Sequence, residues 1–164
     1  MNLTIRFPRL TDKDNFLKVV EYSRQLHQPW VQAPDTEKKF LDYLEKYQKE
    51  NQISHLVMVD DAIAGVININ EIVRGCFLSG YLGYYAMSGF AGKGHMTQAL
   101  KAVIHKAFTE YGLHRLEANI QPENEASIAL VRKCRFEKEG YSKDYLRING
   151  KWRDHERWAV VRHV

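Results

Sequence analysis

Apolar positions recur along the chain with two periods, and the changes of period mark its elements. Leu3, Ile5 and Phe7 alternate with polar residues and predict a first strand, stopped by Pro8. Thr11–Asp14 opens a helix whose apolar face is Phe16, Leu17, Val20 and Leu26. His27-Gln28-Pro29-Trp30 breaks it, and Asp35 or Thr36 caps a second helix that turns Phe40, Leu41, Leu44 and Tyr47 inward. Ile53–Val59 and Ala62–Ile72 read as strands joined at Asp60-Asp61, and Val73-Arg74-Gly75 leads into a third, Phe77–Ala86. The period then lengthens. Ala99, Leu100, Val103, Ile104, Ala107, Phe108 and Tyr111 share one helical face, closed by Gly112. Arg115–Ile120 alternates again and sets Glu117 and Asn119 on a common face, after which Asn124 caps a helix carrying Ala126, Ala129, Leu130 and Val131. Phe136–Ile148 and Lys151–Val161 flank Asn149-Gly150, a strong hairpin signal. The order β-α-α-β-β-β-α-β-α-β-β predicts an α/β (α+β) fold, a mixed sheet flanked by helices, in a single domain over residues 1–164.

The candidate chemistry lies where the third of these strands gives way to the long helix, at Gly89-Phe90-Ala91-Gly92-Lys93-Gly94-His95-Met96. A glycine-rich turn into a helix points unpaired N–H groups and the positive helix end at one spot, which suits a phosphate. Lys93 adds a point charge there. Two better-known phosphate loops do not fit. A Walker loop needs Ser or Thr after Gly-Lys, and Gly94 follows Lys93; a dinucleotide fingerprint from Gly92 meets Thr97 where its third glycine belongs. A pyrophosphate cradle and a plain glycine turn both remain open on these residues.

Composition narrows the class. Of 164 residues, 45% are hydrophobic and 27% charged, as expected of a globular domain with a real core. No apolar run reaches the roughly 18 residues of a membrane span, and no signal-peptide core is visible, so membrane association is not expected. Cys76 and Cys134 stand outside any Cys-x-x-Cys or His-rich cluster, which fits a reducing cytoplasm and argues against a metal site. The net charge of +4 is too mild to predict nucleic-acid binding.

The succession of strand, Gly-x-Gly turn, helix, strand and then Pro122-Glu123-Asn124-x-x-Ser127, with Leu130, Lys133 and Phe136 following, resembles the GNAT superfamily of acetyl-CoA-dependent N-acetyltransferases. Within it, Asn68–Gly75, Leu82-Gly83-Tyr84, Gly112-x-His114-Arg115, Glu139-Gly140-Tyr141-x-x-Asp144-Tyr145-Leu146 and Asn149-Gly150-Lys151-Trp152-x-Asp154-His155 look like the bacterial Rim-type branch, nearest the RimJ group. Those enzymes acetylate the N-terminal α-amine of ribosomal proteins. The likeness is dense over residues 66 to 160 and looser before them, where Gln28-Pro29-Trp30 fits a Pro-Trp element. Some positions depart from the pattern. Ala91 stands where the loop has Gln or Arg, Met96 where it has Gly or Ala, Arg135 where a Gly precedes Phe136, and Leu146 where one relative has a catalytic glutamate.

The resemblance implies a mostly antiparallel sheet whose two central parallel strands splay apart, with acetyl-CoA in the gap. It assigns the cofactor's pyrophosphate to backbone N–H groups of Ala91, Gly92, Lys93, Gly94, His95, Met96 and Thr97, its carbonyl to N–H groups near Ala86 and Met87, and its arm to Asn124; Lys133 beside Arg132 is expected near its 3′-phosphate. For the chemistry, Glu117 with Asn119 is expected to hold a proton-accepting water and Ser127 to act as the acid, with Tyr85 and Tyr145 as reserve donors. An α-amine titrates near ~7.7–8.0 against ~10.4 for a lysine side chain, so an N-terminal acceptor asks little of the base. His95 is expected to touch phosphate or solvent and His114 to end a turn. Trp30, Glu71, Tyr84 and Tyr145 are expected to line the acceptor groove. Three functions stand: acetylation of a protein N-terminus such as a ribosomal protein's; acetylation of a small amine (a polyamine, amino acid or antibiotic); or a CoA-binding sensor or assembly factor without turnover.

Overall fold

In the computed structural model, which describes residues 1–163, one seven-stranded sheet in the order β1-β2-β3-β4-β5-β7-β6 carries the whole architecture. Its strands are β1 (Leu3–Arg6), β2 (Ile53–Val59), β3 (Ala62–Val73), β4 (Ser79–Ala86), β5 (Arg115–Ile120), β6 (Glu137–Ile148) and β7 (Lys151–Val161). The helices are α1 (Lys13–Tyr22), α2 (Arg24–His27), α3 (Glu37–Lys46), α4 (His95–Thr109) and α5 (Glu125–Lys133). Neighbouring strands are antiparallel except β4 and β5.

Local chemistry explains most boundaries. Asp60 and Asp61 (φ 45° and 68°) and Asn149 and Gly150 (φ 50° and 79°) hold paired positive φ angles, the conformation a two-residue hairpin needs to match strand twist. Thr36 caps α3 by accepting from the Lys39 N–H at 3.2 Å. The expected first helix is divided: a short 3-10 turn at Leu10–Asp12 precedes α1, and the chain breaks again at Ser23 before α2. Ser23 turns its hydroxyl back onto the Val19 carbonyl at 2.6 Å and accepts from the Ser88 N–H at 2.8 Å, a side-chain bond to backbone that competes with helix continuation. On α3 the buried pair is Phe40 and Tyr43, and Leu41 faces outward. Phe7 lies beyond β1 and is exposed.

The sheet has a packed layer on each face. On one, Ala99, Leu100, Val103 and Ala107 of α4, with Val131 of α5, cover Ile67, Ile69, Leu116, Ala118 and Trp158. On the other, Phe16 and Val20 of α1 and Phe40 and Tyr43 of α3 cover Leu56, Val66 and Met87. Tyr84 belongs to the first layer and Tyr85 to the second, as strand alternation requires.

Candidate active site

The central feature is a pair of parallel strands that stop pairing halfway. β4 and β5 are in register only from Ser79–Tyr81 against Arg115–Glu117; beyond that, β4 stays with β3 to Ala86 and β5 stays with β7 to Ile120. The unpaired halves diverge around a cavity of about 510 Å³. The register orients the backbone there. The Met87 N–H donates to the Ala64 carbonyl at 2.8 Å with Gly65 opposite Ala86, so antiparallel alternation turns the Ala86 N–H and carbonyl away from β3 and toward the gap. This corrects the expectation at Met87: its N–H is spent on the sheet and its side chain is buried, leaving Ala86 as the backbone donor turned away from β3.

The glycine loop forms one end of the cavity. Gly92 (φ 72°) and Gly94 (φ 83°) are left-handed, and an added Cβ at either meets nothing within 4 Å, so conformation alone demands glycine. Gly94 is the N-cap of α4, and the bond from the Gln98 N–H to its carbonyl at 3.2 Å opens the helix ladder. The N–H groups of His95, Met96 and Thr97 therefore have no intrahelical acceptor. Ala91, Gly92, Gly94, Met96 and Thr97 line the cavity, as do Asn124 and Lys133 of α5. Lys93 and His95 do not. Lys93 points into solvent, whereas His95 is buried with its ring edge toward Phe90 at 6.0 Å and its Nδ1 unpartnered. Arg132 stacks over the Trp158 ring at 5.3 Å instead of joining Lys133.

Across the gap, the Tyr84 hydroxyl and Ser127 Oγ are hydrogen-bonded at 2.6 Å, tying β4 to the first turn of α5. Asn124 Oδ1 accepts from the Ser127 N–H at 3.2 Å, so the cap holds the serine in place. Burial pushes the Tyr84 phenol up to about 12, leaving it a neutral donor at ordinary pH. Asn119 lies on the cavity wall in the unpaired part of β5.

Glu117 does not join them. It sits at the last paired position, opposite Tyr81, and takes a 2.7 Å hydrogen bond from Arg115 Nε, while the Arg115 guanidinium also binds Glu139. Two further acceptor residues are displaced as well. Glu71 occupies a bulge of β3 at the closed end of the β4–β5 pair, bound to Gln52 Nε2 at 2.8 Å, and Tyr145 lies outside the cavity wall behind His155. Trp30 and Tyr84 do line the cavity.

The structure adds two histidines to this wall. His27, the last residue of α2, donates from Nε2 to the Ala86 carbonyl at 2.9 Å and meets Tyr85 edge-on at 5.0 Å. Burial lowers its pKa below the usual histidine range, against a smaller opposing effect of the Ala86 carbonyl. His155 of β7 donates from Nδ1 to the Arg153 carbonyl at 2.9 Å. In sequence His27 is legible only as part of a helix break, because its burial depends on the end of a strand that follows some 60 residues later. The hairpin of β6 and β7 completes the wall with Leu146 and Ile148; its tip is held by the Gln32 side-chain amide donating to Asn149 and by Asn149 Nδ2 donating to the Pro29 carbonyl at 3.5 Å.

Residues 2–137 match the acetyltransferase (GNAT) domain family. The ribosomal protein uS5 alanine N-acetyltransferase of Escherichia coli is 35% identical over 162 residues, covering 92% of this chain and 84% of that protein. Among solved structures, Mycobacterium smegmatis RimJ in complex with CoA-disulfide superposes with a TM-score of 0.89 at 25% identity, covering 97% of this chain and 81% of that one. Spermidine N-acetyltransferase from Vibrio cholerae, solved with CoA and spermine, shares the fold with a TM-score of 0.81 at 20% identity over 97% of this chain and 95% of that one.

Proposed function

The chain belongs to the GNAT acetyltransferase family, and on that premise we propose that it is an acetyl-CoA-dependent N-acetyltransferase whose acceptor is the N-terminal α-amine of a protein, a ribosomal protein being the best candidate. Acetyl-CoA supplies an acetyl group already activated as a thioester. The protein's part is to hold it, polarise its carbonyl and manage two protons. The free N–H groups from Ala91 to Thr97, at the positive end of α4, suit the pyrophosphate; Lys133 and Asn124 flank the rest of the gap. The Ala86 N–H, turned away from β3, is placed to donate to the thioester oxygen as charge gathers there. Ser127 Oγ, backed by the neutral Tyr84 hydroxyl, is the proton donor for the departing sulfur, and Asn119 positions water beside it. The reaction is expected to run in the cytoplasm, where thiols such as exposed Cys76 stay reduced.

The observation that carries the acceptor assignment is charge. Among the described residues, no Asp or Glu lines the main cavity. A polyamine keeps several ammonium groups at neutral pH and needs carboxylates to replace their hydration, whereas a peptide N-terminus brings one amine of pKa ~7.7–8.0. A side groove of about 290 Å³ shares Trp30, Gln121 and Ile148 with the cavity and gives the residues after that amine a path outward; its one carboxylate, Glu123, is accompanied by Arg153. Thiol release from acetyl-CoA, measured with peptides bearing free N-terminal Ala, Ser or Thr against spermidine and an aminoglycoside, tests this. Turnover with the peptides alone is expected; turnover confined to the small amines refutes the acceptor, and CoA binding without turnover on any amine refutes catalysis.

A further inference from the structure

With Glu117 bound to Arg115 outside the cavity, the acceptor's proton needs another destination. We propose that His27, through Nδ1, is the general base that receives the proton of the attacking amine. The inference rests on the acetyltransferase reading above and adds a catalytic residue to it.

Three observations carry it. First, the tautomer is fixed. Nε2 lies 2.9 Å from the Ala86 carbonyl, which only accepts, so Nε2 carries the hydrogen and Nδ1 presents a lone pair. Second, that lone pair is unengaged and not sealed in the core. Among the described residues Nδ1 has no hydrogen-bond partner, yet it is absent from the sealed unpaired side-chain atoms, which are His95 Nδ1 and Arg157 Nε; His27 lines the cavity wall. Third, its anchor is the backbone of Ala86, the residue whose N–H faces the gap, so the ring stands beside the place where the thioester carbonyl is polarised. His155 lines the same cavity, but its anchor is Arg153 on β7, on the hairpin side.

The step balances with the groups present. The amine nitrogen bonds to the carbonyl carbon, and its proton passes to Nδ1. The carbon–sulfur bond breaks with its electron pair on sulfur, which takes a proton from Ser127 Oγ–H; Ser127 regains one from solvent, and the imidazolium returns its own to solvent. The titratable groups sharing the cavity are Tyr84 and Tyr85 of β4, Lys133 of α5 and His155 of β7; on its own helix Arg24 is solvent-exposed. Burial keeps His27 neutral at physiological pH, the form a base requires.

The test is the pH dependence of kcat/KM for a peptide acceptor in the thiol-release assay. With the α-amine ionising near ~7.7–8.0 and the His27 imidazole below its ordinary ~6.5, log kcat/KM is expected to climb with a slope of about 2 at the acid end and about 1 above it. His27→Gln keeps an amide N–H for the Ala86 carbonyl but offers no basic nitrogen. It is expected to lower kcat/KM about 10²-fold at neutral pH, to leave the acetyl-CoA Kd unchanged, and to reduce the acid slope to about 1. An acid slope still near 2 in His27→Gln, or its loss in His155→Gln instead, overturns the proposal. Should His27→Gln fail to fold, the imidazole nitrogen shifts of the wild-type protein decide: a hydrogen on Nε2 supports the proposal and a hydrogen on Nδ1 overturns it. Wild-type silence with every amine overturns both this role and the acetyltransferase reading, whereas wild-type turnover with an unaltered slope overturns this role alone.

Discussion

Replacing Ser127 by alanine separates chemistry from architecture at the Tyr84–Ser127 bond. Structurally, the substitution removes one hydrogen bond of 2.6 Å and leaves the Asn124 cap intact, because the cap accepts from the Ser127 backbone N–H. A buried hydroxyl stripped of its partner costs about 1–3 kcal/mol. Tyr84 lines the cavity, so water can replace the serine and the lower end applies, about 1 kcal/mol. In a chain of this size that lowers Tm by roughly 2–4 °C. Catalytically, loss of a positioned acid is worth about 10²-fold or more in kcat. The deficit also has a pH signature. The released thiolate must take up a proton only below its own pKa, which for an ordinary alkyl thiol such as cysteine is ~8.5, so Ser127→Ala is expected to be most impaired near neutral pH and to recover as the pH rises. Thermal melts with thiol-release assays from pH 7 to 9.5 read both quantities. A Tm shift of the expected size with kcat within about threefold of wild type would refute the acid role and leave Ser127 a purely structural partner of Tyr84.

Three further outcomes follow from the same geometry. Gly94→Val forces a branched side chain into φ 83°, which costs about 1–2 kcal/mol through crowding of its own backbone, and is expected to raise the acetyl-CoA Kd at least ~10-fold by calorimetry; an unchanged Kd would remove the loop from cofactor binding. Glu117→Gln is expected to leave kcat within about twofold and to lower stability by under about 1 kcal/mol, since the Arg115 ion pairs are partly solvated; a large fall in kcat would return Glu117 to the mechanism. At Asp12, burial alone would raise the pKa, but the Arg6 guanidinium and the Arg9 N–H together outweigh it and hold the carboxyl below its ordinary value. Its stabilising contribution is therefore present above about pH 3.9 and lost as the pH falls through the depressed folded value; Asp12→Asn is expected to flatten that acid decline in melts between pH 2 and 5, and an unchanged decline would show that other groups cause it.

Local signals in the sequence carried far. The apolar face of α4, the Asn124 cap, the Asn149-Gly150 turn and the boundaries of β5 depend on residues a few positions apart, and each matches its expected form. Glu117 shows where such reasoning stops. Alternation correctly sets it on the same face as Asn119, but whether a face borders a cavity depends on where β4 and β5 part, and they part between those two residues. His95 likewise sits in the expected loop, yet Phe90 and the fold behind it turn the ring inward. The division at Ser23 combines a local bond to Val19 with one from Ser88, and no pattern in the first 30 residues encodes the second.

The two walls of the cavity differ in how they are inherited along the chain. The wall facing acetyl-CoA comes from one continuous stretch, β4 through α5, whose loop, caps and helix fold on one another locally. The opposite wall exists only where the segment around Trp30 meets the β6–β7 tip, through contacts between residues 117 and 120 positions apart. On the proposed reading, the donor and acceptor sides therefore come from different parts of the chain: β4 through α5 hold the acetyl donor, whereas the acceptor side is set where the segment around His27 and Trp30 meets residues 146–155. Because Gln32, Pro29 and Asn149 are joined by hydrogen bonds, a change on one of these two segments is felt by the other.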